Sequence, residues 1–239
     1  MRHGQGYHSI AEDGHSIRDP SLTPQDRTPP RLPLRRALQT CALTFQPAVS
    51  RGLKVIALPY AEEASDAPCD TGSELDLLQA EFPEHIDFDN VKHGWWVHEG
   101  EYAFDPAALI ARAAKLRRWI KQRPEKEVVL VARGFFNHFL TGDVDKEGNQ
   151  KTPWWEETEL RTFRFVEDGE EADPAFYGGG RTVDGEDAAM IRETEESLKR
   201  MGDKTAKGKA EGVKNVNNPQ ERRESLANYE VNSEIEVAA

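Results

Sequence analysis

Between residues 34 and 140 the apolar positions fall into short blocks whose spacing alternates between helix and strand. In 34–45 (LRRALQTCALTF), Leu34, Leu38, Cys41, Ala42 and Phe45 recur at helical intervals and predict a helix. The run Leu53 to Leu58 (LKVIAL) is short and β-rich, and Pro59 ends it. Ser73 is placed to cap a short helix reaching about Glu81. The strongest helix signal follows Asp105 as N-cap with Pro106 at the first helical position. Its predicted buried stripe is Leu109, Ala113, Leu116 and Ile120, with Arg112, Lys115 and Arg118 off that stripe and Pro124 ending it. Glu127 to Val131 reads as a buried strand, then Arg133-Gly134 turns into a helical stretch, FFNHFL. Strands alternating with helices predict an α/β fold with parallel strands.

Outside that block the pattern weakens. Residues 10–33 are rich in Pro, Asp, Thr and Ser and read as loop. Residues 152–165 (TPWWEETELRTFRF) read as a covering segment that buries its two tryptophans, and YGGGRTVDGED reads as loop. Glu186 to Met201 reads as a polar helix. The domain is expected to span 1–201, and 202–239, with few large apolar residues, is expected to be a disordered tail.

Charge narrows the function classes. The 239 residues carry 43 acids against 31 Lys and Arg, a net charge of −12, and only 37% are hydrophobic. Residues 61–110 hold thirteen acids and one base, Lys92, so this window accounts for the whole excess. A broad nucleic-acid surface is thereby disfavoured, because phosphate backbones need a basic footprint. No apolar run approaches the roughly 20 residues needed to span a bilayer, and the start, MRHGQGYHS, has no apolar core of a secretory signal. Two cysteines, Cys41 and Cys69, argue against a disulfide scaffold or a Cys-rich zinc site, and His85, His93 and His98 lack metal-site spacing. A cytoplasmic protein without metal is the expectation.

Candidate chemistry starts at Arg2-His3-Gly4. Arg36 opens the first predicted helix, Glu63 follows the LKVIALP strand, and Arg133 follows EVVLVA. Open α/β sheets bind ligands at the carboxyl ends of their strands, where several of these residues are predicted to lie. A histidine, two or three arginines and a carboxylate converging there suit a phosphate monoester. Arginines clamp its oxygens with charge-assisted bonds. A neutral imidazole attacks phosphorus, and a carboxyl group protonates the leaving oxygen.

RHGQGYHS (2–9), DPSLTP (19–24), LPLRRALQTCALTF (32–45), GLKVIALPYAEEASDAPCDTGSE (52–74), RPEKEVVLVARG (123–134) and TELRTFRF (158–165), in this order, resemble the histidine phosphatase superfamily, the phosphoglycerate-mutase-like family, in the phrasing of its fungal phosphatase-type members. The resemblance implies a three-layer α/β/α fold with a mostly parallel central sheet, a phosphohistidine intermediate, a small phosphorylated substrate and no cofactor. By position, His3 matches the phosphorylated histidine, and Arg2 and Arg36 match the phosphate-binding arginines. Glu63 matches the proton donor, with Glu62 one position away as its runner-up. Arg133 falls where the family has its second catalytic histidine, and Ser9 where many members carry a phosphate-holding Asn.

The family also places a strand directly before the first arginine, and a helix and a strand between LTP and S-P-L-x-R. Here only QDRTPPR separates LTP from LPLRR. Two strands are therefore expected to be missing, with the domain incomplete at its N-terminus and around 25–32, as in a truncated or mis-spliced gene model. The alternatives are a catalytically impaired relative that binds phosphate or a protein partner, and an acidic interaction module.

Overall fold

The computed structural model of the chain describes residues 1–5, 16, 18–19, 21–22, 35–82, 84–145, 147–167 and 190–201. Ser9, the 25–32 junction, the YGGGRTVDGED loop and the 202–239 tail lie outside these. The Asp105 signal is realised as read. Its backbone is extended, and Oδ1 accepts hydrogen bonds from the N–H groups of Ala107 and Ala108, both at 3.1 Å, so helix α4 (Pro106–Lys121) starts with its first donors satisfied. Helix α1 (Arg35–Thr44) occupies the first predicted helix, followed by one turn, α2 (Gln46–Val49). Helix α3 (Leu75–Glu81) and helix α5 (Gly134–Leu140) fall where helical spacing predicts them.

Three apolar clusters lie in the larger of two compact units, which comprises Met1–Leu160 with Phe165–Arg192; the smallest is Ala37, Phe45 and Val131. In the first, Leu109, Ala113 and Leu116 of α4 meet Phe136, Phe139 and Leu140 of α5, with Leu58, Ala61, Ala132 and Val144. The second joins Leu38 of α1, Val55, Ala57, Leu78 of α3, Val91 and Trp95. Ile120, expected in the α4 stripe, is half-buried.

The sheets are small. Strand β1 (Val55–Ile56) pairs in parallel with β2 (Ile86–Asp87), Val55 opposite Ile86. The predicted 127–131 strand is not a regular strand. Of this stretch only Val131, with Ala132 beside it, is buried, and Ala132 makes a single parallel bridge to Arg2. Among the described residues the architecture is thus mixed α/β with two-stranded sheets. An apolar run becomes a strand only when a neighbour accepts its backbone groups along its length.

Other expectations are corrected. Ser73 does not cap α3. Glu74 holds the N-cap position without a side-chain hydrogen bond, while Ser73 Oγ donates to buried Asp19 Oδ2 at 3.2 Å. Arg112 lies inside α4's buried face, because its guanidinium finds buried carbonyls. Trp155 is buried, but Trp154 is 57% exposed. Of the helix expected over 186–201, residues 186–189 lie outside the described residues; in the rest, strand β4 (Ile191–Glu193) comes first and helix begins only after Thr194. The reason lies within the smaller unit, described over 161–164 and 193–201. Thr194 Oγ1 accepts the Ser197 N–H at 3.3 Å, an N-cap that fixes the start, and Ser197 Oγ accepts the Thr162 N–H at 3.1 Å. A further strand, β3, runs Phe163–Phe165.

Candidate functional site: a buried histidine among three arginines

His3 is held by its backbone from three directions. Its N–H donates to Ala132 O at 3.1 Å, its carbonyl accepts from Thr158 N–H at 3.3 Å, and the next residue, Gly4, donates from its N–H to Thr40 Oγ1 of α1 at 3.0 Å. The imidazole is 2% exposed. Its Nδ1 lies 2.6 Å from Gly4 O and, facing a carbonyl, is assigned as the N–H donor, which places the ring's lone pair on Nε2. Burial first, then the charges of Arg36, Arg133 and Arg2, push its pKa well below 6.5, so the ring is neutral at pH 7.

The three arginines come from three segments. Arg36, in the first turn of α1, is fully buried and donates from Nη2 to Cys69 O at 2.9 Å. Arg133 is the residue before α5, where its extended backbone forms the N-cap. Its Nη2 donates to the same Cys69 O at 3.0 Å and pairs with Asp70 Oδ1, which also lies 3.6 Å from Arg36 Nη2. Arg2 Nη1 donates to Trp155 O at 2.5 Å. Glycine at 134 permits this crowding, since a Cβ there would lie 3.0 Å from Arg2 Nε. Burial, then mutual repulsion with Arg133, lowers the Arg36 pKa well below its ordinary value.

Glu63 reaches the cluster across the start of α5. Oε1 accepts the Phe136 N–H at 2.8 Å, Oε2 accepts the Phe135 N–H at 3.2 Å, and Arg133 Nε stands 3.9 Å from Oε2. Its neighbour Glu62 turns elsewhere, 3.3 Å from His98 Nε2 and 3.9 Å from Arg112 Nη1. Arg112 ties this stretch down by donating from Nη2 to Glu62 O at 3.0 Å and Glu63 O at 3.1 Å. Arg2, His3, Arg36, Glu63 and Arg133 are therefore neighbours. His138 stands apart from the arginines' donors, its Nδ1 2.7 Å from Asp143 Oδ2.

Two acids of the cluster have no role in the sequence reading. Asp70 belongs to the 3-10 turn Pro68–Asp70, and Asp19 is almost fully buried. Burial raises the Asp19 pKa well above 3.8 against the opposing charges of Arg133, Arg36 and Arg35. Both stand in stretches quoted for the resemblance, but nothing in their local spacing separates them from the other acids. A cavity of about 80 Å³ lies away from this cluster, between α1, residues 53–56 and 128–131, and its lining is mostly apolar. No group of three His, Cys, Asp or Glu that could hold a metal occurs among the described residues, and no described helix is long and apolar enough to cross a membrane. No family model, curated protein or solved structure matches the chain.

Proposed function

We propose that this cluster binds a small phosphomonoester and hydrolyses it in the manner of the histidine phosphatases. The observation that carries this is His3: a neutral, buried imidazole, with its lone pair on Nε2, in the field of three guanidiniums. Nε2 attacks phosphorus and the ester P–O bond breaks. Arg2, Arg36 and Arg133 hold the phosphoryl oxygens. The leaving oxygen takes a proton from Glu63. Water then attacks the phosphohistidine, giving its proton to Glu63 as the N–P bond breaks. Glu63 is preferred to Glu62 because it faces Arg133, whereas Glu62 faces His98.

With this function goes the three-layer α/β/α fold around a parallel sheet. It is supported by the parallel sense of two contacts between distant segments, Val55 with Ile86 and Arg2 with Ala132. A reducing, cytoplasmic setting is supported by Cys41 and Cys69, both present as thiols.

A second function, phosphate binding without turnover, is favoured by one observation: Arg133, at the position where the resemblance implies a second catalytic histidine, is ion-paired with Asp70. One experiment separates them. The chain is incubated with a generic aryl phosphate, and both phenol release and acid-labile phosphate on His3 are measured, alongside His3→Ala. Turnover and labelling that vanish in His3→Ala support the phosphatase. Binding of inorganic phosphate without either signal supports the second function, and no binding at all removes both.

A further inference from the structure

We propose that the turn Pro68–Asp70 is a built-in plug of the His3 cluster, its Asp70 carboxylate standing on the arginine donors that a phosphoryl group would use, so that an anionic ligand must displace it. This rests on the phosphate-binding function proposed above and adds its regulation. The turn offers two oxygens to the cluster. Cys69 O takes an N–H from both Arg36 and Arg133, at 2.9 and 3.0 Å, and Asp70 Oδ1 pairs with Arg133 Nη2 and lies 3.6 Å from Arg36 Nη2. An acceptor and a negative charge bridging two guanidiniums are what one face of a phosphoryl group supplies. His3 is 2% exposed, so a ligand reaches its imidazole only when a neighbouring group moves.

The turn lies between two fixed points. On one side it is anchored by Glu63, which accepts from two α5 N–H groups, and by buried Ala64. On the other side it is anchored at Gly72, so close to Trp95 that an added Cβ would lie 2.5 Å from the indole. Between these anchors, Asp66 and Pro68 are exposed. Besides its bonds to Arg36 and Arg133, the span makes local hydrogen bonds, among them Asp70 N–H to Ala67 O at 2.7 Å, Ser65 Oγ to Asp70 Oδ2 at 2.6 Å and Thr71 Oγ1 to Ala67 O at 3.1 Å, with Asp19 N–H to Pro68 O at 3.2 Å reaching it from outside. A phosphate monoester near pH 7 carries more negative charge than a carboxylate, so the exchange is favourable for that ligand class and unfavourable for a neutral one.

The test uses the full chain and inorganic phosphate as probe. Asp70→Asn removes the charge and keeps the shape. Calorimetric titration is expected to show phosphate binding about tenfold tighter than wild type, because a ligand's apparent affinity is reduced by the fraction of protein whose site is closed to it. In the wild-type chain, phosphate is expected to speed hydrogen exchange at the Asp70 and Thr71 amides as the turn lets go. This second measurement decides the matter if Asp70→Asn does not fold. Equal or weaker phosphate binding by Asp70→Asn, or exchange at these amides that phosphate leaves unchanged or slows, overturns the plug while phosphate binding itself stands. If neither protein binds phosphate, the plug and the proposed function both fail.

Discussion

His3 and Asp19 sit in one buried cluster and respond to pH with opposite signs. The His3 pKa is depressed in the fold, so below about 6.5 the unfolded chain takes up a proton that the folded chain resists. Its contribution to stability is complete above that pH and is lost as pH falls. The Asp19 pKa is raised, so its contribution is complete below about 3.8 and is lost as pH rises through the folded value. Arg36, Arg133 and Arg2 supply the positive charge around His3. Melting temperature followed against pH is expected to fall on the acid side below about 6.5 in wild type, and the His3→Gln variant to lose that dependence. Asp19→Asn is expected to gain stability relative to wild type as pH rises from 4 to 7. An unchanged acid limb in His3→Gln rejects a neutral, buried His3. Arg133→His tests the residue before α5. Under the phosphatase function it is expected to raise turnover of an aryl phosphate by about 10², the size of one well-placed donor to the transferring group. A lower or unchanged rate excludes an imidazole role there.

At the scale of elements, α4 carries both the core and the site's footing. Leu116 is fully buried between α4 and α5, and Leu116→Ala is expected to cost about 2–5 kcal/mol in denaturant unfolding. Arg112 on the same helix is buried over the Phe136 ring, 4.7 Å from its centroid, and bonds the carbonyls of Glu62 and Glu63. Arg112→Ala removes the cation facing buried Glu62 and is expected to destabilise by about 3 kcal/mol, more than an exposed arginine would. If it destabilises no more than Arg51→Ala, at an exposed position, the buried charge is already compensated without Arg112. The caps show why some element boundaries were legible and others not. Asp105-Pro106 is a local signal, complete within four residues, and the helix obeys it. Ser73 carries the same local signal, but its hydroxyl is drawn to Asp19, fifty-four residues away in sequence, which no local pattern shows.

At the scale of the whole molecule, the acidic window and the arginine cluster are separate in sequence and meet in space. Asp70 and Glu63 both come from the 61–110 window and both face Arg133, so part of the net −12 neutralises the site rather than facing solvent. No polyanion-binding surface follows from such buried, compensated arginines. The chain is expected to pass through a heparin column at low salt and to be held by an anion exchanger; retention on heparin would show a basic surface that composition does not predict.

By itself the sequence determined where helices α1, α4 and α5 lie, and it supplied the candidate residues for a site. Periodicity and caps are local, so α1, α4 and α5 were readable from a dozen residues each, and Arg2, His3, Arg36, Glu63 and Arg133 stood out by type and placement. What only the tertiary structure decided is which partners those groups meet. The 127–131 run is apolar enough for a strand, yet strand formation depends on a neighbour's backbone along its whole length, and here only isolated bridge positions form, at Val128 and at the adjoining Ala132. Arg112 reads as a surface residue until two carbonyls from another segment are seen to bury it. Asp70 reads as one acid among thirteen until the fold sets it on Arg133. Burial, charge pairing and hydrogen-bond satisfaction depend on groups brought together from distant parts of the chain, and these contacts leave His3 buried among arginine charges.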